Sequence, residues 1–354
     1  MLKTYYRPAG LVYGPDARTI IAQGRGASLG GLSSIAYTMV EVIERQGGKI
    51  ERRFVQCQEF RHSGEGRSPA AVRLDSGLRR NDGLEGGPLI MGIVNVTPDS
   101  FSDGGRNAHT DSAIAHGLQL AKDGADILDI GGESTRPGSE GVQEDEELSR
   151  VIPVIEGLAR EGLRVSCDTR KARVMREALK AGASMINDVS ALQHDPDAIA
   201  AMAETDCPVI LMHAQGDPKT MQLAPVYETV ALDVFDALEA RIALCVAAGI
   251  ARDRLIADPG IGFGKTFRHN LDLLQAFGVL HGLGVPLLVG LSRKGFIGAL
   301  TGEKQAGNRV NGSVGGAVWS ALNGAHILRV HDVRATAEAL AVARAAADPD
   351  SSGL

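Results

Sequence analysis

The sequence predicts a (β/α)₈ barrel that follows an N-terminal extension, and three observations support this fold class. Short apolar runs alternate with longer amphipathic runs from Leu89 to about Ala347, which is the pattern of strands separated by helices. One junction recurs, in which a helical run ends in Gly-Ala and leads directly into an apolar run. Nearly every apolar run ends in a polar or charged residue. A doubly wound open sheet is the alternative fold.

Eight candidate strands can be located in order along this region. They lie near residues 89–95, 126–131, 164–168, 184–188, 208–212, 254–258, 285–290 and 326–330. Eight strands with helices between them, over about 265 residues, fit the size of a (β/α)₈ barrel. Gly124, Gly182 and Gly324 each end a helix before a strand, because glycine takes the left-handed C-cap conformation at low cost.

The residues before the barrel differ in character. Residues 1–60 alternate short apolar runs with turns, so short strands are expected there, one of them within IERRFVQCQEF (50–60). Residues 61–88 contain six glycines and five arginines without a sustained apolar period, which predicts a mobile insertion. A basic patch for a partner is the alternative, but interleaved acidic residues weaken it. Residues 348–354 are expected to form a C-terminal tail.

The composition excludes several classes of function. The chain has 354 residues, of which 44% are hydrophobic and 23% charged, as expected for a globular protein with a sizeable core. Aromatic residues make up only 4%, and the net charge is -6, so neither a nucleic acid nor an anionic membrane is an expected partner. No membrane span or signal peptide is evident, and four separated cysteines predict free thiols in a reducing cytoplasm.

Polar residues at the strand ends would meet at one mouth of the barrel, where the chemistry of this fold is located. They are Asn95, Asp129, Asp168, Asn187 with Asp188, His213, Asp258, Ser292 to Lys294, and Arg329 with His331. Each alone could be a turn residue or a helix cap, as Asp168 would be for a helix starting near Lys171. Their accumulation at one mouth instead indicates a binding site.

The residue types indicate what this mouth could bind. Asp168, Asn187 and Asp258 are rich in acceptors, and a buried carboxylate needs donors. A flat heterocycle with a ring N–H beside an exocyclic amine supplies two donors in a row, and Arg329 or Lys294 could lie over its face. Asn95, Arg329 and His331 form a second group that suits an anion, and the Asn95 oxygen suits Mg²⁺. A metal cage of aspartates is the competing reading, which the Lys and Arg residues disfavour.

Two long loops and several strings make the reading specific. The loops VTPDSFSDGGR (96–106) and GGESTRPGSEG (131–141) are suited to close over substrates. Seven strings, in order and at compatible spacing, resemble the dihydropteroate synthase family. They are GIVNVTPDSFSDGG (92–105), DIGGESTRPG (129–138), DTRK (168–171), INDVS (186–190), DPGIGFGK (258–265), SRKGFIG (292–298) and RVHDV (329–333).

The resemblance implies an enzyme that joins a pterin diphosphate to 4-aminobenzoate, releases pyrophosphate and forms 7,8-dihydropteroate, with Mg²⁺. The residues it implies for the pterin are Asp168, Asn187, Met212, Asp258, Lys294 and Arg329. For the diphosphate they are Asn95, through Mg²⁺, with Arg329 and His331. For the aminobenzoate they are Phe101, Thr135, Arg136, Pro137, Phe263, Lys265 and Ser292. Asp168, Asp258, Lys294 and Arg329 are the implied catalytic residues.

The resemblance also implies a homodimer, through late helices such as 308–323, and makes 61–88 an insertion. A methyl-transfer barrel or a non-catalytic pterin-binding protein is the alternative function. A P-loop NTPase is suggested only by the end of DPGIGFGKT (258–266). The P-loop pattern requires a glycine where Pro259 stands, and the segment follows the sixth predicted strand, so we reject this reading.

Overall fold

The computed structural model describes residues 2–62, 87–96, 106–133, 141–216 and 225–349 of the chain. Its main element is an eight-stranded parallel sheet. The strands are β5 (Leu89–Asn95), β6 (Ile127–Gly131), β7 (Val165–Asp168), β8 (Met185–Asp188), β9 (Val209–Met212), β10 (Leu255–Asp258), β11 (Leu288–Val289) and β12 (Ile327–Val330). All eight fall within the segments that the sequence predicts.

The sheet closes on itself as a barrel. Strands β5 to β10 are neighbours in chain order, β12 lies beside β5, and β11 lies beside β12. A parallel bridge then joins Ala257 of β10 to Leu287, and the Ala257 N–H donates to the Pro286 carbonyl over 2.9 Å. The predicted (β/α)₈ fold is therefore confirmed, and the open doubly wound sheet is excluded.

Helices surround the barrel. They are α3 (Arg106–Lys122), α4 (Glu144–Arg160), α5 (Ala172–Lys180), α6 (Ala198–Ala203), α7 (Val230–Ala247), α8 (Phe267–Gln275), α9 (Gly295–Thr301), α10 (Val310–Leu322) and α11 (Val333–Ala347). Gly124, Gly182 and Gly324 have φ of 106°, 109° and 85°, so the predicted left-handed positions after α3, α5 and α10 are confirmed. No helix in these described ranges is long and apolar enough to cross a membrane.

The strand interior explains why the polar residues gather at one end. A buried apolar cluster fills the lower barrel with Leu89, Met91, Ile127, Met185, Ile210, Ile256, Leu288 and Ile327. Side chains two residues apart in a strand point to the same face. The residues two positions after five of these members are Asp129, Asn187, Met212, Asp258 and Arg329. They therefore form the next layer of the interior, at the C-terminal mouth.

The N-terminal extension forms a separate antiparallel sheet. Its elements are β1 (Lys3–Tyr13), α1 (Gly14–Ala22), β2 (Ala27–Leu29), β3 (Leu32–Gln46), β4 (Lys49–Gln56) and α2 (Cys57–His62). Strand β3 pairs with β1, β2 and β4. The strands of the extension were expected to be short, and this is wrong for β3, which has 15 residues. Its polar residues interrupt the apolar runs, but its pairing with β1 continues through them.

The extension packs against the barrel from its floor to the start of α7. At the floor, His326 Nε2 lies 2.8 Å from the Gly30 carbonyl and the Tyr13 hydroxyl donates to the Leu322 carbonyl over 3.1 Å. At the other end, Arg45 donates to Asp233 Oδ1 of α7 over 2.6 Å. The long β1–β3 ribbon therefore spans the side of the barrel.

The expected strand within 50–60 is divided in the structure. Its first residues belong to β4 and its last ones to α2. Most of the predicted mobile insertion, residues 63–86, lies outside the described residues, as do residues 350–354 of the predicted tail. The division of the chain into extension, insertion, barrel and tail therefore stays an interpretation.

Candidate active site

Arg329 is the centre of a buried polar network at the barrel mouth. Its Nε donates to Asp129 Oδ2 over 2.6 Å, and its Nη2 donates to Asp168 Oδ2 over 2.7 Å. Asn187 Nδ2 donates to the same Asp129 oxygen over 3.0 Å. The Arg329 guanidinium of β12 thus joins β6 and β7 directly in a fixed fork, and β8 is joined through Asp129. Asp129 is fully buried, while the Arg329 side chain remains 20% exposed toward the mouth.

Burial and charge act in opposite directions on this pair. Burial raises the pKa of Asp168 to about 7, although the nearby Arg329 charge opposes the shift. Burial lowers the pKa of Arg329, but Asp129 and Asp168 outweigh it and raise that pKa above its ordinary value. Arg329 therefore stays a cation, and Asp168 can exchange a proton near neutral pH.

Asp258 and Lys294 form a second group across the mouth. Asp258 Oδ1 accepts the Gly260 N–H over 2.7 Å, and burial raises the pKa of this carboxyl. The Lys294 ammonium donates to the Ile261 carbonyl and lies 4.4 Å from the centre of the Phe263 ring. Burial, helped by Arg329 and opposed by Asp258, lowers the pKa of Lys294 to about 8. Met212 pairs with Asp258 in the β9–β10 register.

A strained turn after β11 holds Ser292 against His331. The Ser292 hydroxyl lies 3.0 Å from His331 Nδ1 and also accepts the His331 N–H over 3.2 Å. Arg293 has a φ of 59°, which is costly for a residue with a side chain. Its Nε donates to Asp332 Oδ2 over 3.0 Å, and its N–H donates to Ser313 Oγ over 2.8 Å. These contacts stabilise the turn that places Ser292 and Lys294.

Lys265 lies beneath this mouth and contacts protein atoms. Its side chain is almost fully buried, since the residue is only 3% exposed. The ammonium donates to the carbonyls of Gly260 and Phe263 over 2.9 and 3.0 Å and lies 3.0 Å from His213 Nδ1. A contact between Lys265 and an aminobenzoate stays a prediction, but the protein already uses its donors.

Most of the predicted site residues are thus at the same mouth. Asp168, Asn187 and Arg329 form the first network, and Phe263 joins Asp258 and Lys294 in the second. Asn95 is at the C-terminal end of β5, opposite Gly131 in the register with β6. Four predicted residues lie outside the described residues, namely Phe101, Thr135, Arg136 and Pro137.

Asp129 is the site residue that the sequence reasoning left without a role. It stands among the strand-end residues, but its ion pair with Arg329 joins positions 200 residues apart. The period of two after Ile127 could have placed it on the inner face. Asp168 does not cap α5, because the α5 N-cap makes no side-chain bond and the Ala172 N–H donates to Asp195 instead.

The closed barrel and its polar mouth define a (β/α)₈ enzyme with a site for a small polar ligand. Residues 91–331 match the family model described as pterin binding enzyme. The chain is 50% identical over 259 residues to the dihydropteroate synthase of Escherichia coli strain K12, covering 73% of this chain and 91% of that one. The chain therefore belongs to the dihydropteroate synthase family of pterin-binding enzymes.

Two solved structures of the dihydropteroate synthase from Xanthomonas albilineans are also similar. One contains 4-aminobenzoic acid and is 52% identical, with a TM-score of 0.70 over 75% of this chain and 94% of that chain. The other is a complex with 7,8-dihydropteroate and is 50% identical, with a TM-score of 0.67 over 73% of this chain and 94% of that chain. The family match begins at Met91, so the extension lies outside it.

Proposed function

We propose that the protein condenses 6-hydroxymethyl-7,8-dihydropterin diphosphate with 4-aminobenzoate to 7,8-dihydropteroate and releases pyrophosphate. The buried network of Arg329, Asp129, Asp168 and Asn187, with Asp258 and Lys294 across the mouth, is the observation that carries this proposal. It combines acceptors for a heterocycle with two cations. The named relatives supply the substrates, and this mouth supplies groups that could bind them.

The pterin would bind between the two polar groups. Asp258, Asp168 and Asn187 would accept hydrogen bonds from the ring N–H and the exocyclic amine, which satisfies carboxylates that are costly to bury alone. Lys294 would contact a ring acceptor and Arg329 would lie against the ring face. Met212 would cover an apolar edge, since its side chain is buried on the same inner face.

The diphosphate would bind to Asn95, Arg329 and His331. The side-chain amide of Asn95 makes no hydrogen bond to any residue that the structure describes, so its oxygen is available to Mg²⁺. No group of three acidic, His or Cys side chains in those residues could hold a metal, which fits a cation bound mainly through the substrate. Bound there, Mg²⁺ would neutralise charge on the departing diphosphate.

The aminobenzoate would bind beside Phe263 and Ser292. The Phe263 ring already faces the Lys294 ammonium and could stack on the aminobenzoate ring from its other side. The Ser292 hydroxyl, placed by His331, could donate to the carboxylate. Phe101, Thr135, Arg136 and Pro137 remain proposed contacts on the two long loops.

In the proposed reaction the bond from the pterin methylene carbon to the diphosphate oxygen breaks first. The oxygen keeps the electron pair, and the carbon becomes a cation stabilised by the electron-rich pterin. Asp258 and Asp168 favour positive charge that spreads into the ring, and Arg329 with His331 stabilises the departing anion. The aniline nitrogen then bonds to the carbon and loses one proton. Exclusion of water would protect the cation from hydrolysis.

One assay tests the proposed function. The protein is incubated with Mg²⁺, the pterin diphosphate and labelled 4-aminobenzoate, and labelled pteroate is measured alongside released pyrophosphate. Asp258→Asn is the matched control, since it keeps the shape but removes the charge. Folded protein that forms no labelled pteroate would refute the proposal. Equal turnover by Asp258→Asn would remove that carboxylate from the mechanism.

We further propose a homodimer that forms through α10, a helix rich in small residues whose Trp319 is 50% exposed. Sedimentation velocity tests this, and a monomer at micromolar concentration would refute it. A cytoplasmic location stays a prediction from the composition and the cysteines.

A further inference from the structure

The buried ammonium of Lys265 joins two loops at the barrel mouth. It lies within 3.4 Å of four acceptors, the Gly260 and Phe263 carbonyls and both Nδ1 and the carbonyl of His213. Gly260 and Phe263 belong to the turn after β10, and His213 follows β9. An ammonium has three donors and accepts nothing, so these contacts use all of its hydrogen-bonding capacity.

The turn depends on close backbone approach at this point. Gly260 and Gly264 have φ of 64° and 57°, and an added Cβ would meet the carbonyls of His213 and Gln215. The Gly264 carbonyl accepts the Tyr227 hydroxyl over 2.9 Å, and Asn270 Oδ1 accepts the Gly262 N–H over 2.7 Å. Lys265 donates to the Phe263 carbonyl and is a second donor to the Gly260 carbonyl, which also accepts the Phe263 N–H over 3.0 Å.

The other side of the same turn holds Lys294. The Ile261 carbonyl accepts from the Lys294 ammonium, and the Phe263 ring stands 4.4 Å from it. A Cβ at Gly262 would contact the Lys294 side chain. Lys265 contacts the carbonyls of Gly260 and Phe263, which flank Ile261. Displacement of this turn would therefore displace the two groups that orient Lys294.

We propose that Lys265 is a positioning residue that fixes the 260–263 turn so that Ile261 and Phe263 hold Lys294 in the pterin site. This inference rests on the proposed function and deepens it, because it gives Lys265 a role other than direct contact with the aminobenzoate. Lys265 then acts on the turn, and the turn in its place orients Lys294 at the substrate.

The charges around Lys265 make this role dependent on pH. The groups that face it are His213 after β9, Asp258 of β10, Lys294 at the start of α9 and the Tyr227 ring, 5.9 Å away. Burial, helped by Lys294 and opposed by Asp258, lowers the pKa of Lys265 to about 7. Burial and then the Lys265 charge lower the pKa of His213 to about 3, so its imidazole is neutral and can accept.

Deprotonation of Lys265 has two effects of opposite sign, the loss of a hydrogen-bond donor and a linked gain in stability. Above about pH 7 the lysine loses one of its three donors, and the turn loses a hydrogen bond. The folded pKa is below the ordinary value of 10.5, so the folded state binds fewer protons than the unfolded state between the two values. This group therefore makes the fold more stable, not less, as pH rises through that window.

The test compares Lys265→Met with Lys180→Met, a control on an exposed surface of α5 where the side chain is 71% exposed. Hydrogen exchange followed by mass spectrometry is measured on peptides covering 258–266 and 144–160. In Lys265→Met we expect exchange in 258–266 to accelerate by about tenfold or more, with no change in 144–160. We expect kcat/KM for the pterin diphosphate to fall by about tenfold or more, because Lys294 loses its orientation.

The alkaline limb of the pH profile gives a further readout. In the wild type, kcat/KM should begin to fall near pH 7, where Lys265 loses its proton. In Lys265→Met this fall should move about one pH unit higher, to the pKa of Lys294. A merely structural role would lower activity without moving the limb. Unchanged exchange, or faster exchange with unchanged kcat/KM and an unmoved limb, overturns the inference.

Two measurements keep the test decisive if a step fails. If Lys265→Met does not fold, the wild-type protein is measured between about pH 6 and 9, with exchange corrected for its intrinsic pH dependence. Opening the turn returns Lys265 to its ordinary pKa, so protection in 258–266 must then rise as pH increases above about 7, and constant or falling protection refutes the inference. Wild-type protein without turnover refutes the proposed function alone, because exchange and calorimetric binding of the pterin diphosphate still decide the role of Lys265.

Discussion

Replacement of Arg329 by Met should be the most costly single change at the barrel mouth. It removes two charge-assisted hydrogen bonds, 2.6 and 2.7 Å long, and leaves the buried carboxylates of Asp129 and Asp168 without their cation. Breaking a buried ion pair from one side costs about 3 to 5 kcal/mol of unfolding free energy. Asn187 still donates to Asp129, so we expect the lower half of this range at neutral pH.

The cost of Arg329→Met should also increase with pH. The folded pKa of Asp168, about 7, is raised above the ordinary 3.8, so its contribution to stability is present at low pH and is lost as pH rises through the folded value. Arg329 opposes that shift, and without it the pKa of Asp168 rises further. At about pH 6 the Asp168 carboxyl is largely protonated, so removal of Arg329 should cost less unfolding free energy there than at about pH 9.

Urea unfolding of wild type and variant at several pH values measures this difference. Arg334→Met is the control, because that arginine is 76% exposed and pairs with the exposed Glu338 one helical turn away, where solvent screens the pair and the loss should be far smaller. Equal losses in the two variants would show that the Arg329 network does not stabilise the fold. A loss for Arg329→Met that is independent of pH would refute the role assigned to Asp168.

Two further substitutions and one pH profile test the site and its surroundings. Lys294→Ala should lower turnover by about tenfold or more, which is about 1.4 kcal/mol, without unfolding the barrel, and steady-state kinetics with circular dichroism checks this. In the wild type, kcat/KM for the pterin diphosphate should still be falling as pH rises through about 8, because Lys294 becomes neutral there. Arg45→Met should cost about 1 to 2 kcal/mol of unfolding free energy, since its partners Asp233 and Asp236 are partly exposed and keep other donors. A double-mutant cycle with Asp233→Asn measures that coupling, and strict additivity would contradict it.

The barrel was predictable because its rules are local. The glycine C-caps and the short apolar runs each lie within a few residues, and the structure has its strands within the segments those rules select. The strand-end residues could be collected for the same reason, since one mouth receives all of them. Local pattern therefore located the candidate site before any contact was known.

The partner of each side chain in the site depends on tertiary contacts, so it could not be predicted from the local sequence. Asp129 was found as a strand-end residue, but nothing near it in sequence indicates that it shares Arg329 with Asp168. The resemblance implies that Lys265 contacts the aminobenzoate, and only the tertiary structure shows that its ammonium turns back toward the carbonyls of the loop. The length of β3 does not follow from its apolar content, because pairing with β1 on one side and with β4 on the other extends the strand through its polar residues.

The docking of the extension has a consequence for the order of folding during synthesis. Its strands leave the ribosome before the barrel does, and their floor partners lie far later in the chain. His326 follows Gly30 by 296 residues, and Asp348 follows its partner Arg18 by 330. Contacts of such long separation form slowly. Tyr5 packs against Phe235 of α7, so its ring stays uncovered until α7 has been translated, and the floor contacts form only after His326 and Asp348 have been made. We expect this interval to be when the chain most needs a chaperone.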